Sequence, residues 1–149
     1  MSITQSLVTS FKVEILDGIH NFGVGVVRGS TAADTFKIAL YTASATLDST
    51  TTAYSATNEV VGTGYVAGGN TLVISQVPTS TGTTAFLDFS DSSWTTSTIT
   101  ARGALIYNST QSNKAVAVLD FGSDKTTVAQ TFIVVFPSSS STTAIVRIA

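Results

Sequence analysis

The chain contains no cysteine, one histidine, one tryptophan and two prolines among its 149 residues. The absence of cysteine excludes a disulfide framework and any metal site built on thiolates. It also fits folding in a reducing cytoplasm. With so few side chains able to take part in acid–base or nucleophilic chemistry, the composition argues against an enzyme.

Charge is also scarce. Only 11% of the residues are charged, the net charge is −2 and the isoelectric point is about 5.0. This balance argues against a nucleic-acid surface, which needs a basic stripe. A solvated domain of this size usually carries about twice this charge fraction. Since soluble monomers rely on lysine and glutamate for solubility, we expect much of the surface to be covered by partners.

Long apolar runs are missing too. Runs such as residues 132–137 fall far short of the ~20 residues that span a bilayer, and the start of the chain has no basic segment followed by an apolar one. We therefore expect no membrane segment and no signal peptide.

Serine and threonine are abundant: 20 Ser and 26 Thr make up almost a third of the chain. The length is typical of one domain with a single core, so we expect residues 1–149 to form one unit. Hydroxyl-rich, weakly charged surfaces suit a protein that packs against neighbours.

Apolar residues alternate with a period of two over most of the chain, and the segments are short and bounded by turn-forming residues. Helix-period segments between them are absent, which excludes a βαβ arrangement. The pattern predicts an all-β antiparallel sandwich, jelly-roll or immunoglobulin-like, of about seven to eight strands. The expected strands are residues 36–41, 72–77, 84–89, 99–107, 115–121, 131–136 and 144–148.

Three other segments depart from this pattern. Residues 1–22 form an N-terminal arm in which apolar residues at i, i+4 spacing predict a short helix over residues 7–19, ending near Gly18, with a strand as the alternative. Residues 42–69 form a long polar loop, which is usually functional or exchanged with a neighbour. It closes with a tight turn at residues 68–70. Residues 138–143 are expected to be a hairpin loop.

Candidate chemistry is sparse. His20 would have to be the base of any nucleophilic triad, but we expect it to end the N-terminal element and bond to backbone. The four aspartates at strand ends could together bind calcium, although no EF-hand spacing supports this and aspartate caps turns ordinarily. These residues are Asp88, Asp91, Asp120 and Asp124. We assign no catalytic, cofactor or metal residue.

Three weaker motifs have structural explanations. Gly23, Val24 and Gly25, followed by Gly29, lack the spacing of a nucleotide loop and predict a turn or flexible strand. Residues 108–110 match a glycosylation acceptor, but predict a hairpin turn. Trp94 is either an exposed sugar-stacking platform or a core residue, and burial is favoured for so large an aromatic.

Two blocks of sequence carry a resemblance, and a Gly-x-His-x-Phe pattern accompanies them at Gly18, His20 and Phe22. The first block is residues 34–42, continuing through 57–60 and 62–65 to 68–69, and the second runs from 93–94 through 98–108 to 119–122. Together they resemble a family of small virion structural proteins of tailed bacteriophages and prophages, over roughly residues 11–149. The connection at residues 23–33 is longer than the one in that family.

The resemblance implies a virion role without enzymatic activity. We expect a capsid decoration or cement protein that bridges subunits of the major capsid protein, forms a homo-oligomer with a trimer favoured, and assembles in the bacterial cytoplasm. A tail, adaptor or fibre component is the alternative. A carbohydrate-binding module for host attachment would need Trp94, Tyr54 and Tyr65 as an exposed platform. The expected interface residues are Ser49, Thr50, Thr51, Thr52, Tyr54 and Tyr65.

Overall fold

Two antiparallel sheets and one short helix make up the computed structural model, which describes residues 2–16, 18–24 and 33–148. The larger sheet has the strand order β1-β7-β6-β2-β3 and the smaller one β4-β5-β8. The predicted all-β sandwich is confirmed. The elements are β1 (Ser6–Leu7), α1 (Thr9–Leu16), β2 (Phe36–Tyr41), β3 (Asn70–Thr71), β4 (Ile74–Thr81), β5 (Thr84–Phe89), β6 (Ser92–Asn108), β7 (Lys114–Val134) and β8 (Val146–Ile148).

The hairpin of β6 and β7 is the centre of the fold. Its inner half, around the pair Leu105 and Val118, is buried between β2 and β1, and the turn at residues 109–113 joins the strands as the sequence predicted. An aromatic row then links the two sheets: Phe22 stacks on Phe36 with ring centroids 4.2 Å apart, and Phe36 lies 6.0 Å from Phe89. Burial of these rings contributes to the stability of the fold.

The two apolar runs at residues 115–121 and 131–136 were predicted to be separate strands, and this is wrong. Strand β7 continues from one to the other, and its polar middle pairs with β6 at Thr126 opposite Thr100. Between the pairs Gly103–Asp120 and Ala101–Lys125, β7 contains extra residues, with Gly122 at φ 75°. Such a bulge lets one strand bend and continue, so a polar interval did not end it.

The helix predicted in the N-terminal arm is confirmed, but it is shorter and Leu7 lies in β1. Its C-terminus has two hydrogen bonds in a Schellman pattern: Ile19 N–H donates to the carbonyl of Glu14, and Gly18 N–H donates to that of Ile15. Gly18 has a φ of 68°, which favours glycine. Glycine therefore ends this helix where the sequence indicated.

Residues 42–69 contain no named strand and lead into the turn before β3. Gly68 and Gly69 have φ values of 87° and 66°. A Cβ at Gly69 would lie 1.8 Å from the carbonyl oxygen of Ile38, so only glycine lets the turn approach β2. The strand expected from Leu72 begins instead at Ile74, while Leu72 N–H donates to the Phe36 carbonyl.

The hairpin predicted at residues 138–143 is wrong. Strand β7 belongs to the larger sheet, whereas β8 pairs with β5 in the smaller one. The hydroxyl-rich segment therefore crosses between sheets. No helix in the described part of the chain is long and apolar enough to cross a membrane.

Candidate functional site

Glu59 is the centre of the polar contacts made by the 42–69 segment. Its Oε1 accepts hydrogen bonds from the Tyr65 hydroxyl at 2.6 Å and from the Gly68 N–H at 2.7 Å, and its Oε2 accepts one from the Tyr54 hydroxyl at 2.7 Å. The residue is 6% exposed. A buried carboxylate needs such donors, because an unpaired one would be costly.

The four tyrosines of the chain gather around this carboxylate. The Tyr65 hydroxyl also accepts a bond of 2.9 Å from the Leu40 N–H in β2. Tyr107 donates to the carbonyl of Gly68 at 2.7 Å, and its ring stacks on Tyr54 with centroids 4.7 Å apart. Tyr41 donates to the carbonyl of Ser55 at 2.6 Å. Each phenol is thus held by an intramolecular bond.

Burial raises the pKa of all four phenols. For Tyr107 the pKa is raised to about 12, and the nearby charge of Glu59 adds to the effect of burial. The pKa values of Tyr41, Tyr54 and Tyr65 are also raised, again chiefly by burial. The phenols therefore stay neutral donors over the physiological range, and none is a base or nucleophile.

The hydroxyl segment at residues 49–52 lies at the surface. Thr50, Thr51 and Thr52 line a hollow of about 470 Å³ together with other small polar residues, and Ser49 is exposed beside them. Thr50 donates to Asp48 Oδ1 from its N–H at 2.7 Å and from its hydroxyl at 2.6 Å, which lowers the pKa of Asp48. The surface here offers mainly hydroxyls, with Asp48 as the one charged residue in the lining.

The backbone of the same segment holds the fold together. Thr9 N–H donates to the Ser49 carbonyl at 2.8 Å, and Ala115 N–H donates to the Thr52 carbonyl at 2.9 Å. Residues 49–52 therefore join the N-terminal arm to β7. The six residues expected at an interface fall into two groups, since Tyr54 and Tyr65 are half-buried and turned toward Glu59.

His20 lies in a second buried network and bonds to side chains, so the expected backbone bond is not what holds its ring. Nε2 lies 2.7 Å from Glu14 Oε2, and Nδ1 lies 3.1 Å from the Asn108 amide nitrogen. Asn108 Oδ1 accepts bonds from the N–H groups of Thr110 and Gln111, which fixes the orientation of the amide. Nδ1 must then accept and Nε2–H must donate.

Neither ring nitrogen of His20 is left to take a proton from a serine. The other amide hydrogen of Asn108 goes to Asp34 Oδ2 at 2.7 Å, and Lys114 donates to Glu14 Oε1 at 2.7 Å. The network ties the N-terminal arm to the ends of β6 and β7. One signal for it was present in the sequence, because Asp34 lies just before β2 and Asn108 ends β6, and these two strands pair.

The four aspartates considered for calcium have separate partners. Asp120 and Asp124 each lie 3.7 Å from Arg102, and Asp91 Oδ1 accepts a bond from the Phe136 N–H. Asp88 is buried and accepts a bond from the Phe89 N–H. Within residues 2–16, 18–24 and 33–148 no three His, Cys, Asp or Glu side chains gather as metal ligands would.

Trp94 lies in the core, as the sequence favoured. It is 4% exposed and packs edge-on against Phe132, with ring centroids 6.1 Å apart, and beside Tyr65 at 5.9 Å. A buried ring offers no face to a sugar. The platform considered for carbohydrate binding therefore lacks its largest member.

The glycosylation match at residues 108–110 and the glycine motif at residues 23–29 remain. The side chain of Asn108 is fully buried, so it is inaccessible as a glycan acceptor. Of the glycine motif, Gly23 N–H donates to Asn21 Oδ1, while Gly25 and Gly29 lie outside the described residues.

Comparison with known proteins adds no relative, since the chain matches no protein-family model, no curated protein and no solved structure.

Proposed function

We propose that this chain is a structural protein of a tailed-bacteriophage virion, a capsid decoration or cement protein. The observation that carries the proposal is the contrast between interior and surface. The ionisable groups of the two buried networks are used in intramolecular bonds, as at Glu59 and His20, while the exposed surface consists largely of hydroxyls with a few apolar side chains. Such a surface suits packing against other subunits. The sequence resemblance supports the same role.

The contact with the shell would lie at the hollow lined by Thr50, Thr51 and Thr52. Uncharged hydroxyls lose less free energy than charges when water is removed from them. A decoration protein bound there would stabilise the assembled shell by mass action, because it binds the assembled state and not the separate subunits. The major capsid protein is the proposed partner.

A tail, adaptor or fibre component is the alternative, since the same surface suits any virion subunit. Copy number separates the two roles. A decoration protein covers a shell of many subunits, whereas tail, neck and fibre proteins are present at a small multiple of the tail symmetry. The carbohydrate-binding alternative has no such support, because Trp94 is buried and the Tyr54 and Tyr65 hydroxyls bond to Glu59.

The direct test is the copy number of this chain in virions purified from the host that carries its gene, measured by quantitative mass spectrometry against the major capsid protein. A copy number close to that of the shell protein supports a decoration protein. A few dozen copies or fewer would move the chain to the tail or fibres. Absence from washed virions overturns the virion proposal.

A pair of variants tests the contact surface. Thr52→Lys places a charge at the hollow, and Thr79→Lys places one on the exposed part of β4. Purified protein would be added to virions lacking the chain, and bound protein measured after sedimentation. We expect Thr52→Lys to lose binding while Thr79→Lys binds normally. Equal binding by both variants would remove the hollow from the proposed contact.

A further inference from the structure

Strand β7 has an open edge over its outer half. On one side it pairs with β6 along nearly its whole length, but on the other side β1 covers only Ala117 and Val118. From residue 130 to residue 134 no described strand pairs with the outer edge. An edge strand presents backbone N–H and C=O groups that can pair with another chain.

The same stretch is apolar on both faces. Phe132 and Val134 point into the core, while Ile133 and Val135 are 53% and 70% exposed. In an antiparallel sheet with one solvated face, the outward positions are normally polar. Uninterrupted apolar residues are typical of a strand covered on both sides. The apolar pattern of residues 132–135 is therefore that of a strand with neighbours on both faces, although in the single chain its outer face is open.

A hollow of about 430 Å³ runs along this edge. It is lined by Phe121 and residues 125–127 on one side and by residues 131–135 on the other. Lys125 is the one charged residue in the lining. A volume of this size has room for side chains of a strand added beside β7.

The edge is uncharged, so a second copy of the same edge could pair with it without burying a charge. Residues 126–146 contain no charged side chain. A partner strand must also be uncharged where it is buried, because an unpaired buried charge is costly. The same stretch of a second copy meets this requirement.

Other edges of the described sheets are poor partners. Strands β3 and β8 have two and three residues. Strand β4 is longer, but it contains Pro78, which has no N–H, and two register shifts. The outer half of β7 is therefore the best match for another β7 edge, which gives a two-fold contact.

We propose that two copies of the chain pair through the outer edge of β7, antiparallel and centred on Ile133. Ile133 of each copy then lies opposite Ile133 of the other, and Thr131 lies opposite Val135. These are β-branched pairs on one face, which stabilise antiparallel strands. The pairing would satisfy the open backbone groups of both edges and bury the flanks of Ile133 and Val135 against their cross-strand neighbours. It does not depend on the virion role.

The first test is the oligomeric state of the full chain by sedimentation velocity over a dilution series. We expect a dimer that dissociates on dilution, because five paired residues form a small interface. Ile133→Lys would place two like charges opposite each other and should give a monomer with unchanged circular dichroism. Val66→Lys, at another exposed valine, should leave the dimer intact. A wild-type monomer at every concentration, or a dimer unaffected by Ile133→Lys, overturns the proposal.

The second test uses the absence of cysteine. Directly opposite residues of paired antiparallel strands have Cβ atoms about 4.5–5.5 Å apart, close to the separation that a disulfide bridges. Ile133→Cys should therefore form a disulfide-linked dimer under mild oxidation, and Val66→Cys should not. Equal cross-linking of the two variants, or a trimer in which Ile133→Cys stays unlinked, would contradict the proposed contact.

Discussion

The Tyr65 hydroxyl donates a 2.6 Å hydrogen bond to Glu59 Oε1 and accepts a 2.9 Å bond from the backbone N–H of Leu40. One side chain of the 42–69 segment thus connects a buried carboxylate to β2. Because Tyr107 of β6 donates to the carbonyl of Gly68, the segment is also fixed to the sheet at its far end. A long polar connection without strands is held in place by side-chain bonds.

Removing the hydroxyl of Tyr65 should cost more stability than removing that of Tyr54. Tyr54→Phe deletes one bond to the carboxylate and should lower the free energy of unfolding by about 2 kcal/mol. Tyr65→Phe also leaves the Leu40 N–H without its acceptor, so we expect a loss of about 3–4 kcal/mol. Urea unfolding of both variants measures the difference. Equal losses would mean that the bond to Leu40 contributes nothing.

Gly69 and Gly82 form a matched pair of turn glycines. Both have positive φ, 66° and 61°, so alanine is strained at either position. A Cβ at Gly69 meets the Ile38 carbonyl, whereas one at Gly82 meets nothing within 4 Å. We expect Gly82→Ala to cost about 1 kcal/mol and Gly69→Ala several times more. Thermal unfolding of both variants tests this, and a similar loss of stability in each would show that the close approach to β2 is absent.

Tyrosine ionisation should be suppressed until the protein unfolds. Burial raises the pKa of every tyrosine above the usual 10.0, with Tyr107 raised to about 12. The folded state holds the phenol protons more tightly than the unfolded state, in which tyrosine ionises near pH 10. The free energy of unfolding should therefore fall as the pH rises above about 10. Absorbance at 295 nm, followed from pH 8 to pH 13 with circular dichroism in parallel, should show ionisation and unfolding together. A tyrosine that ionises near pH 10 in folded protein would contradict the closed network.

The ionised form of Asp88 should destabilise the folded protein. The side chain is 1% exposed and burial raises its pKa above the usual 3.8. The folded state therefore holds a proton more tightly than the unfolded state, and stability decreases as the pH rises from about 3.8 through the raised pKa. Asp88→Asn keeps an oxygen for the Phe89 N–H and removes the charge. We expect the variant to be more stable than wild type at pH 7.

The size of that difference should depend on pH. It should shrink as the pH falls, because Asp88 becomes neutral in the wild type as well. Asp48→Asn is the matched control, since its pKa is lowered and the residue lies at the surface, and the sign should reverse. Urea unfolding between pH 4 and pH 7 measures both. A pH-independent difference for Asp88→Asn would show that folding does not shift the pKa of this carboxyl.

The sequence predicted most strands because alternation with a period of two records which face is buried. Residues 36–41 and 84–89 alternate in sequence and lie in β2 and β5. Prediction failed where a bulge carried a strand through polar residues, as at Gly122 in β7. It also failed at residues 138–143, because local composition does not say whether a turn joins neighbouring strands or two sheets.

The candidate site was less accessible to sequence reasoning. Trp94 was correctly assigned to the core from its size, and Tyr54 and Tyr65 were identified as notable aromatics, but not as donors to Glu59. Likewise Asn108 reaches His20 from a distant part of the chain, although Glu14 lies only six residues before His20. Hydrogen bonds between residues far apart in sequence depend on the sheet register, which a single sequence does not contain.

By itself the sequence determined the all-β class, the N-terminal helix with its glycine stop and the glycine turn before β3, because periodicity and backbone preference act locally. Tertiary structure decided which polar groups meet. It turned Tyr54 and Tyr65 toward Glu59, closed His20 between Glu14 and Asn108, and left the β7 edge open at Ile133. These outcomes depend on packing between distant segments, where the burial of one group requires a partner that only the fold can supply.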